Sequence, residues 1–440
     1  MTYFFETYGC QMNKAESAAL ELVLKERGWT AASDGAAADL VLLNTCSVRA
    51  TAETRVLGRI AHYGALKKNR PFSLAVAGCM AERLKDSLKE RAPAVDFVMG
   101  TAARSRFPLM LEALETGASM IETDEEPVFS FSSSHLEEGE FRSFVPIMHG
   151  CDNFCSYCIV PYVRGREISR SPASILEEIA LLESRGVREI TLLGQNVNSY
   201  RWADGAGVVD FPALLRLVAG VVRGIRWVRF LSSHPKDLSP AVIDAMRDHE
   251  VLRRHIHLCV QHGSDRILAA MNRRYTRERY LALAADIRSA LPDVSLSTDI
   301  LVGFPGETEE DVQATLGLME EVRFSYAYMY HYNPREGTAA YALPGRIEDS
   351  VKKERLARVI DLQQEHTRIA MRARVGLRTT VLVEGFSRKN RAELVARTDK
   401  DEMVVFPGPA SLIGSFADVT ISSLRGKTFR AKEAEPCPGV

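Results

Sequence analysis

The stretch "GCDNFCSYCIVPYVRG", residues 150–165, places three cysteines at C-x3-C-x2-C spacing with no fourth nearby. Thiolates bind zinc or iron–sulfur clusters. Zinc ribbons pair two C-x2-C knuckles; here the second knuckle is absent and no histidine stands at a matching downstream spacing. A zinc site or incidental thiols is one reading. The other is a cubane cluster on three thiolates, with one iron left for a non-protein ligand.

Read outward from this loop, residues 142–368 alternate apolar strands with amphipathic helices. "SFVPIMHGC", "VREITLLGQNV", "IRWVRFLSS", "HIHLCVQHG", "VSLSTDILVGF" and "YAYMYHYN" are strand-like, and segments such as "SPASILEEIALLESRG" and "TEEDVQATLGLMEEV" between them read as helices. Ser174 with Glu177 reads as a capping box and Thr308 as an N-cap. About six βα units in series predict a full or partial (β/α) barrel, whose chemistry sits on the loops after the strands.

Residues 1–105 show the same rhythm on a smaller scale, which predicts a small parallel-sheet domain. "NKAESAALELVLKERG" reads as a helix ending at Gly28, and "AERLKDSLKERA" as a single later helix. Cys10, Cys46 and Cys79 each follow an apolar strand, in "TYGC", "LNTC" and "AGCM". Loops at the carboxyl ends of parallel strands face one crevice, so three cysteines are expected to converge there, as ligands or as buried structural thiols. Cys259 reads as core and Cys437 as incidental.

Residues 107–141 hold nine Asp and Glu and no Lys or Arg, an acidic connector. After residue 370 the grammar changes to short strands with regular turns, an all-β module expected to be a small barrel. Residues 372–440 carry 12 Lys and Arg against 8 Asp and Glu. The expected domains are 1–118, a linker at 119–141, a barrel at 142–370 and the β-module at 371–435.

The 440-residue chain is too long for one core. It is 46% hydrophobic and 26% charged, with no collagen-like, disordered or disulfide-scaffold bias. A formal net charge of −1 argues against a uniformly basic surface, though nucleic acid needs only a local basic face. No apolar run approaches a bilayer span and the first residues do not read as a signal peptide. A cytoplasmic protein without membrane contact is expected, with cysteines serving as ligands or catalysts rather than bridges.

The C-x3-C-x-aromatic-C pattern, with Tyr157 as the aromatic, closely resembles the radical S-adenosylmethionine (SAM) enzymes. "YGCQMN", "LNTC" and "AGCMAE" look like the N-terminal domain of the methylthiotransferases of that superfamily. The resemblance extends over nearly the whole chain and implies an RNA-binding TRAM-like module at the C-terminus. It implies two [4Fe–4S] clusters, one on Cys151, Cys155 and Cys158 and an auxiliary one on Cys10, Cys46 and Cys79. SAM would chelate the open iron of the first, and reductive cleavage would give a 5′-deoxyadenosyl radical. The auxiliary cluster would deliver sulfur.

"IVPYVRGREISR", "TLLGQNVNSY", "SSHPKD", "MNRRYTRERY" and "STDILVGFPGETEED" match the tRNA-modifying branch best. That branch implies methylthio addition to carbon 2 of an N6-isopentenyladenosine beside the tRNA anticodon. His262 in "VQHGSD" departs towards the branch acting on a ribosomal-protein aspartate. A non-catalytic, metal-containing tRNA-binding protein is the alternative of another class.

For SAM, the resemblance points to Gln195 and Asn196 near the amino group and to Ser297, Asp299 and Gly303 along ribose and adenine. Asp299 suits ribose hydroxyls and Gly303 a close backbone approach, although both also suit packing or turn roles. For RNA, "FSRKNR" places Arg388, Lys389 and Arg391 in one loop beside Phe386, either an RNA contact or a solvated hairpin. Arg164, Arg166 and Arg170 lie just past the cysteine loop, where they would neutralise anticodon-loop phosphates or pair with local glutamates. No Ser-His-Asp or paired-carboxylate site is expected. A flavodoxin-type electron donor and action as a monomer complete the expectations.

Overall fold

The computed structural model describes residues 1–47, 50–101, 106–117, 131, 140–205 and 207–437. The acidic linker expected at 119–141 lies outside them except for residues 131, 140 and 141. The chain divides into two compact units: residues 1–136 with 144–154 and 158–170, and residues 137–143 with 155–157 and 171–440.

In the first unit, β1 (Thr2–Tyr8), β2 (Thr30–Ala31), β3 (Leu40–Thr45), β4 (Ser73–Gly78) and β5 (Phe97–Met99) form a parallel sheet in the order β2-β1-β3-β4-β5. Every residue of β3 is buried, as a strand covered on both faces requires. Val41, Leu43, Val76, Val56 and Ile60 pack on one face. Leu40, Leu42, Leu20, Leu24, Phe107 and Met110 pack on the other. Helix Gln11–Glu26 ends at Arg27, followed by Gly28 at φ +78°, the left-handed turn expected after a helix. The helix expected over 81–92 is two, Cys79–Leu84 and Asp86–Arg91, broken at Lys85, whose φ is +43°.

β6 (Arg142–Pro146) opens the next series. β7 (Met148–His149) and β8 (Ile168–Ser169) then pair antiparallel in the first unit and close the base of the loop that carries Cys151 and Cys158. Gly150, at φ +80°, has no room for a side chain: a Cβ would lie 2.0 Å from the Arg166 carbonyl. The Cys151 amide donates to the Gly165 carbonyl at 3.2 Å.

In the second unit, β9 (Glu189–Leu193) precedes a short hairpin, β10 (Arg201–Asp204) with β11 (Gly207–Asp210). β12 (Trp227–Phe230) pairs in parallel with β9. β13 (His255–His257), β14 (Ser295–Val302) and β15 (Tyr326–His331) follow in parallel order. Parallel bridges Val228–Leu252 and Ser233–Leu258 link the β9–β12 pair to β13. This is a partial barrel of parallel strands, as the βα series implies. The helix over 172–184 is capped by Ser171, whose hydroxyl accepts from the Ser174 amide, so the expected Ser174–Glu177 box sits inside the helix. Pro172 supplies the reason, since proline fits the first helical turn. Thr308 caps helix Glu309–Val322 as expected, with Asp311 completing the box.

β16 (Arg378–Phe386), β17 (Glu393–Thr398), β18 (Met403–Pro407), β19 (Phe416–Arg425) and β20 (Thr428–Pro436) close into a barrel in the order β16-β17-β18-β20-β19. This module belongs to the same compact unit as the parallel strands. The Trp227 and Phe416 rings meet edge to face at 4.8 Å. The turn at 398–402 docks on arginines of the parallel strands. Arg229 donates to the carbonyls of Asp399 and Thr398 at 2.7 and 3.2 Å. Arg142 reaches Glu189, Glu384 and Asp401 at 2.7 to 3.0 Å.

Candidate metal centres

In the first unit the carboxyl ends of β1, β3 and β4 are level: Tyr8 pairs with Thr45, and Thr45 with Gly78. Cys46 and Cys79 follow their strand ends directly, and Cys10 follows β1 after Gly9. The next turn of chain is fixed by asparagines. Asn13 donates to Asn44 Oδ1 and to the Thr45 carbonyl, while its own Oδ1 accepts from the Cys10 amide and Sγ at 3.3 Å. Gly78, at φ +91°, leaves the space that a Cβ would take 2.5 Å from Asn44 Oδ1.

Cys10 and Cys46 interact directly, and Cys79 is near enough to feel the Cys10 charge. A hydrogen bond with Cys46 lowers the Cys10 pKa from 9.0 to about 6, against burial and with help from Arg164. Cys10 is also the N-cap of a 16-residue helix, a position that favours a thiolate. Burial raises the Cys79 pKa, and Arg164 opposes it. Three thiol donors at one crevice, one of them ready to ionise and a cation beside them, suit an iron–sulfur cluster that leaves one iron open.

Arg164 corrects an expectation. It does not face solvent for RNA phosphates; its guanidinium is buried and pairs with both oxygens of Glu16, at 2.6 and 3.2 Å. Arg170 is buried as well, donating to the Pro146 carbonyl. Arg166 remains exposed, 3.1 Å from Asp152 and stacked on the Phe154 ring.

In the second unit Cys155 Sγ accepts from Arg273 Nη1 at 3.3 Å, and Arg273 Nη2 donates to the Cys259 carbonyl at 2.7 Å. Tyr157 packs against the cluster of Ile267, Met271, Leu301 and Phe304. Non-glycine residues with positive φ gather on the nearby strand ends and loops: Ser232, Gln261, Asn272 and Arg274. Such strained backbone collects at functional sites.

Orphaned polar atoms mark the same rim. Among the described residues Gln195 Oε1, both amide atoms of Asn198, Ser233 Oγ and His234 Nε2 are buried without a partner. They follow β9 and β12, and unpaired buried polar atoms at strand ends suit a polar ligand such as SAM. Asn198, Ser233 and His234 were missed from sequence; their signal was only position after a strand.

The other expected SAM residues divide. Asn196 is already engaged, donating to Asp237 at 2.7 Å and accepting from the His234 amide at 3.3 Å, so it ties two strand-end loops together instead of facing a ligand. Ser297 is also corrected: its fully buried hydroxyl lies between His255 Nε2 and His257 Nδ1 at 3.0 and 2.9 Å. At Gly303, φ +73°, the Lys352 stem fills the space of a Cβ and Glu307 accepts from the Gly303 amide, so turn and packing already account for a glycine here. Asp299 stays part-exposed, its carboxylate 3.6 Å from His257 Nε2.

Cys259, expected as core, joins His257 and Asp299 in a group whose ligand-type atoms all lie within 4.8 Å of one another. Burial disfavours a charged His257, but Cys259 and Asp299 raise its pKa well above the usual value. Asp299 pairs in register with Tyr328 and Leu301 with Tyr330, so these two tyrosines, 43% and 36% exposed, share the face that carries Asp299. His262, read as a pointer to the alternative substrate, is fully buried, with Glu307 at 3.1 Å and Thr315 at 3.2 Å. Its role is packing.

In the β-module, Arg388, Lys389 and Arg391 are exposed on the β16–β17 turn beside Phe386, 48% exposed, and make no hydrogen bond or ion pair among the described residues. Cys437 Sγ lies 3.4 Å from Asp418.

Comparison with known proteins agrees with this architecture. Residues 2–100 match the model of the uncharacterized protein family UPF0004, 145–319 the radical SAM superfamily and 372–432 the TRAM domain. The chain is 52% identical over 98% of its length to a protein of Treponema denticola named tRNA-2-methylthio-N(6)-dimethylallyladenosine synthase, covering 99% of that protein. It belongs to that family of radical SAM methylthiotransferases. A family member from Syntrophus aciditrophicus is 43% identical, with 96% of this chain and 94% of the relative covered. Among solved structures, the radical SAM methyltransferase TsrM of Kitasatospora setae, with cobalamin and a [4Fe-4S] cluster bound, aligns at a TM-score of 0.59 and 15% identity. That alignment covers 77% of this chain and 74% of TsrM. The cobalamin-dependent radical enzyme OxsB aligns at 0.52 and 11%, covering 83% of this chain and 56% of OxsB. Both likenesses concern the fold.

Proposed function

We infer that this protein is a radical SAM methylthiotransferase that adds a methylthio group to carbon 2 of an N6-isopentenyladenosine beside the anticodon of tRNA. The observation that carries the reading is the level convergence of Cys10, Cys46 and Cys79 at three adjacent strand ends. It supports a second thiolate site in a radical SAM chain, which sulfur transfer needs and radical generation alone does not. Relatives at 43–52% identity bear the corresponding name over the full chain.

When bound, two [4Fe–4S] clusters and SAM supply the radical, the sulfur and the methyl group. Cys151, Cys155 and Cys158 would hold one cluster and Cys10, Cys46 and Cys79 the other. The residues of the chain bind and orient. Gln195 Oε1, buried without a partner, would accept from an ammonium group, and Asp299 from ribose hydroxyls. Arg273 holds Cys155 in place. Tyr328 and Tyr330 offer exposed rings on the Asp299 face for stacking of an unpaired base. Arg388, Lys389 and Arg391 are free cations for phosphate binding, and Arg166 is a weaker candidate because Asp152 already pairs with it.

No helix among the described residues is long and apolar enough to cross a membrane. We place the reaction in the cytoplasm, with the protein acting as a monomer and a flavodoxin-type donor supplying electrons. Anaerobic reconstitution tests the assignment: about eight iron per chain are expected, with 5′-deoxyadenosine formed from SAM under reductant. Cys10→Ala, Cys46→Ala and Cys79→Ala variants should lose sulfur insertion and keep SAM cleavage; zinc uptake without cleavage sinks the reading.

A further inference from the structure

The Arg164–Glu16 pair has no role in the function just described, and its surroundings give it one. Both side chains are sealed from solvent, at 3% and 4% exposure. Arg164 Nη1 also lies 3.4 Å from His149 Nδ1. Burying an ion pair is weak evidence for stability, because desolvation offsets most of the attraction. A buried pair beside ligand sulfurs invites another purpose.

The pair joins the two segments that flank the auxiliary site. Glu16 projects from the helix that Cys10 caps. Arg164 ends helix Val160–Arg164, and its charge acts on Cys79, opposing the effect of burial on that thiol. Ile159 and Val163 of the same segment pack on Cys79, and the Val163 carbonyl is pinned by the Thr101 hydroxyl at 2.6 Å. The guanidinium is therefore fixed, with the carboxylate behind it.

We propose that Arg164 and Glu16 form an electrostatic seat for the auxiliary cluster, setting its reduction potential. Arg164 places a fixed positive charge at the sulfur ligands; Glu16 orients that charge and offsets part of it. The inference rests on the assignment of Cys10, Cys46 and Cys79 as cluster ligands. Reduction adds an electron to a site already negative from its thiolates. A nearby cation favours the reduced form and raises the potential, and a nearby carboxylate lowers it. The two members of the pair therefore act with opposite sign.

The test uses the full chain with Cys151, Cys155 and Cys158 replaced by Ala, so that only the N-terminal site takes iron. After anaerobic reconstitution, the midpoint potential is read by redox titration followed by electron paramagnetic resonance, alongside iron content. R164M is expected to shift the midpoint negative, R164K to restore part of the shift, and E16Q to shift it positive. Shifts of the same sign in R164M and E16Q, or no shift with iron retained, overturn the proposal. If R164M takes up no iron, E16Q decides alone, and an unchanged or more negative midpoint is the contrary result. If the parent itself takes up no cluster, the ligand assignment fails, a result distinct from a loaded parent whose variants do not shift.

Discussion

Asn13 Nδ2 donates to Asn44 Oδ1 at 3.0 Å and to the Thr45 carbonyl at 3.1 Å, joining the turn after Cys10 to the strand end before Cys46. Asn44 answers through Nδ2, donating to the Asn13 carbonyl and to Ser17 Oγ at 2.9 and 3.0 Å. The two segments that present cysteines are thus tied by side chains as well as by sheet pairing.

Asn13→Ala leaves buried partners of this network unpaired, at a cost of about 1–3 kcal/mol for each group. The chain is expected to unfold at lower denaturant concentration. In the background lacking Cys151, Cys155 and Cys158, iron uptake should fall markedly. Full iron with unchanged stability would show that the asparagine network does not position the cysteines.

Arg273 bridges Cys155 Sγ and the Cys259 carbonyl from a buried position. Arg273→Met removes a charge-assisted hydrogen bond to Cys155, which we assign as a cluster ligand, a loss of about 1.5–3 kcal/mol. Formation of 5′-deoxyadenosine should fall about tenfold or more. Iron bound at the N-terminal site, assayed separately, is expected to stay level. Equal losses at both sites would point to misfolding instead.

The exposed cations of the β16–β17 turn predict a salt signature. Replacing Arg388, Lys389 and Arg391 together with Ala should weaken tRNA binding and reduce the salt slope by about one for each phosphate that is no longer neutralised. SAM cleavage without RNA is expected to be unaffected. A slope equal to the parent's would remove the turn from the RNA interface.

His255 gives a pH dependence. Burial, with Arg229 nearby, lowers its pKa from 6.5 to about 3, so the native barrel holds a neutral imidazole. The unfolded chain takes up a proton below about pH 6.5 that the folded chain refuses. This contribution is fully present above that pH and is lost as pH falls towards 3, by about 1.4 kcal/mol per pH unit. His255→Gln should flatten the acid side of the stability curve while costing stability at neutral pH, because Ser297 and Tyr326 lose their partner. Identical acid slopes in parent and variant would refute the assignment.

Architecture was legible in the sequence because strand and helix periods alternate cleanly and because cysteines stand at strand ends. β1, β3 and β4 fall where their apolar runs place them, and Cys10, Cys46 and Cys79 follow them. Burial was not legible. Arg164 looks like any exposed arginine in "YVRGR"; only its tertiary pairing with Glu16, 148 residues earlier, turns it inward. Ser297 and Asn196 have the right chemistry for a ligand, but His255, His257 and Asp237 occupy them first. The break at Lys85 carries no local signal either, since both halves of that segment keep helical propensity.

The central claim is that sulfur and methyl reach an adenosine of tRNA. The most direct measurement is nucleoside mass spectrometry of tRNA bearing N6-isopentenyladenosine, after anaerobic incubation with the reconstituted protein, SAM and reductant. The account predicts that the 2-methylthio derivative accumulates as its precursor declines, and that a Cys79→Ala variant forms none. Unchanged tRNA nucleosides, with a methylthio group appearing on an aspartate of a ribosomal protein supplied in the same incubation, would contradict it.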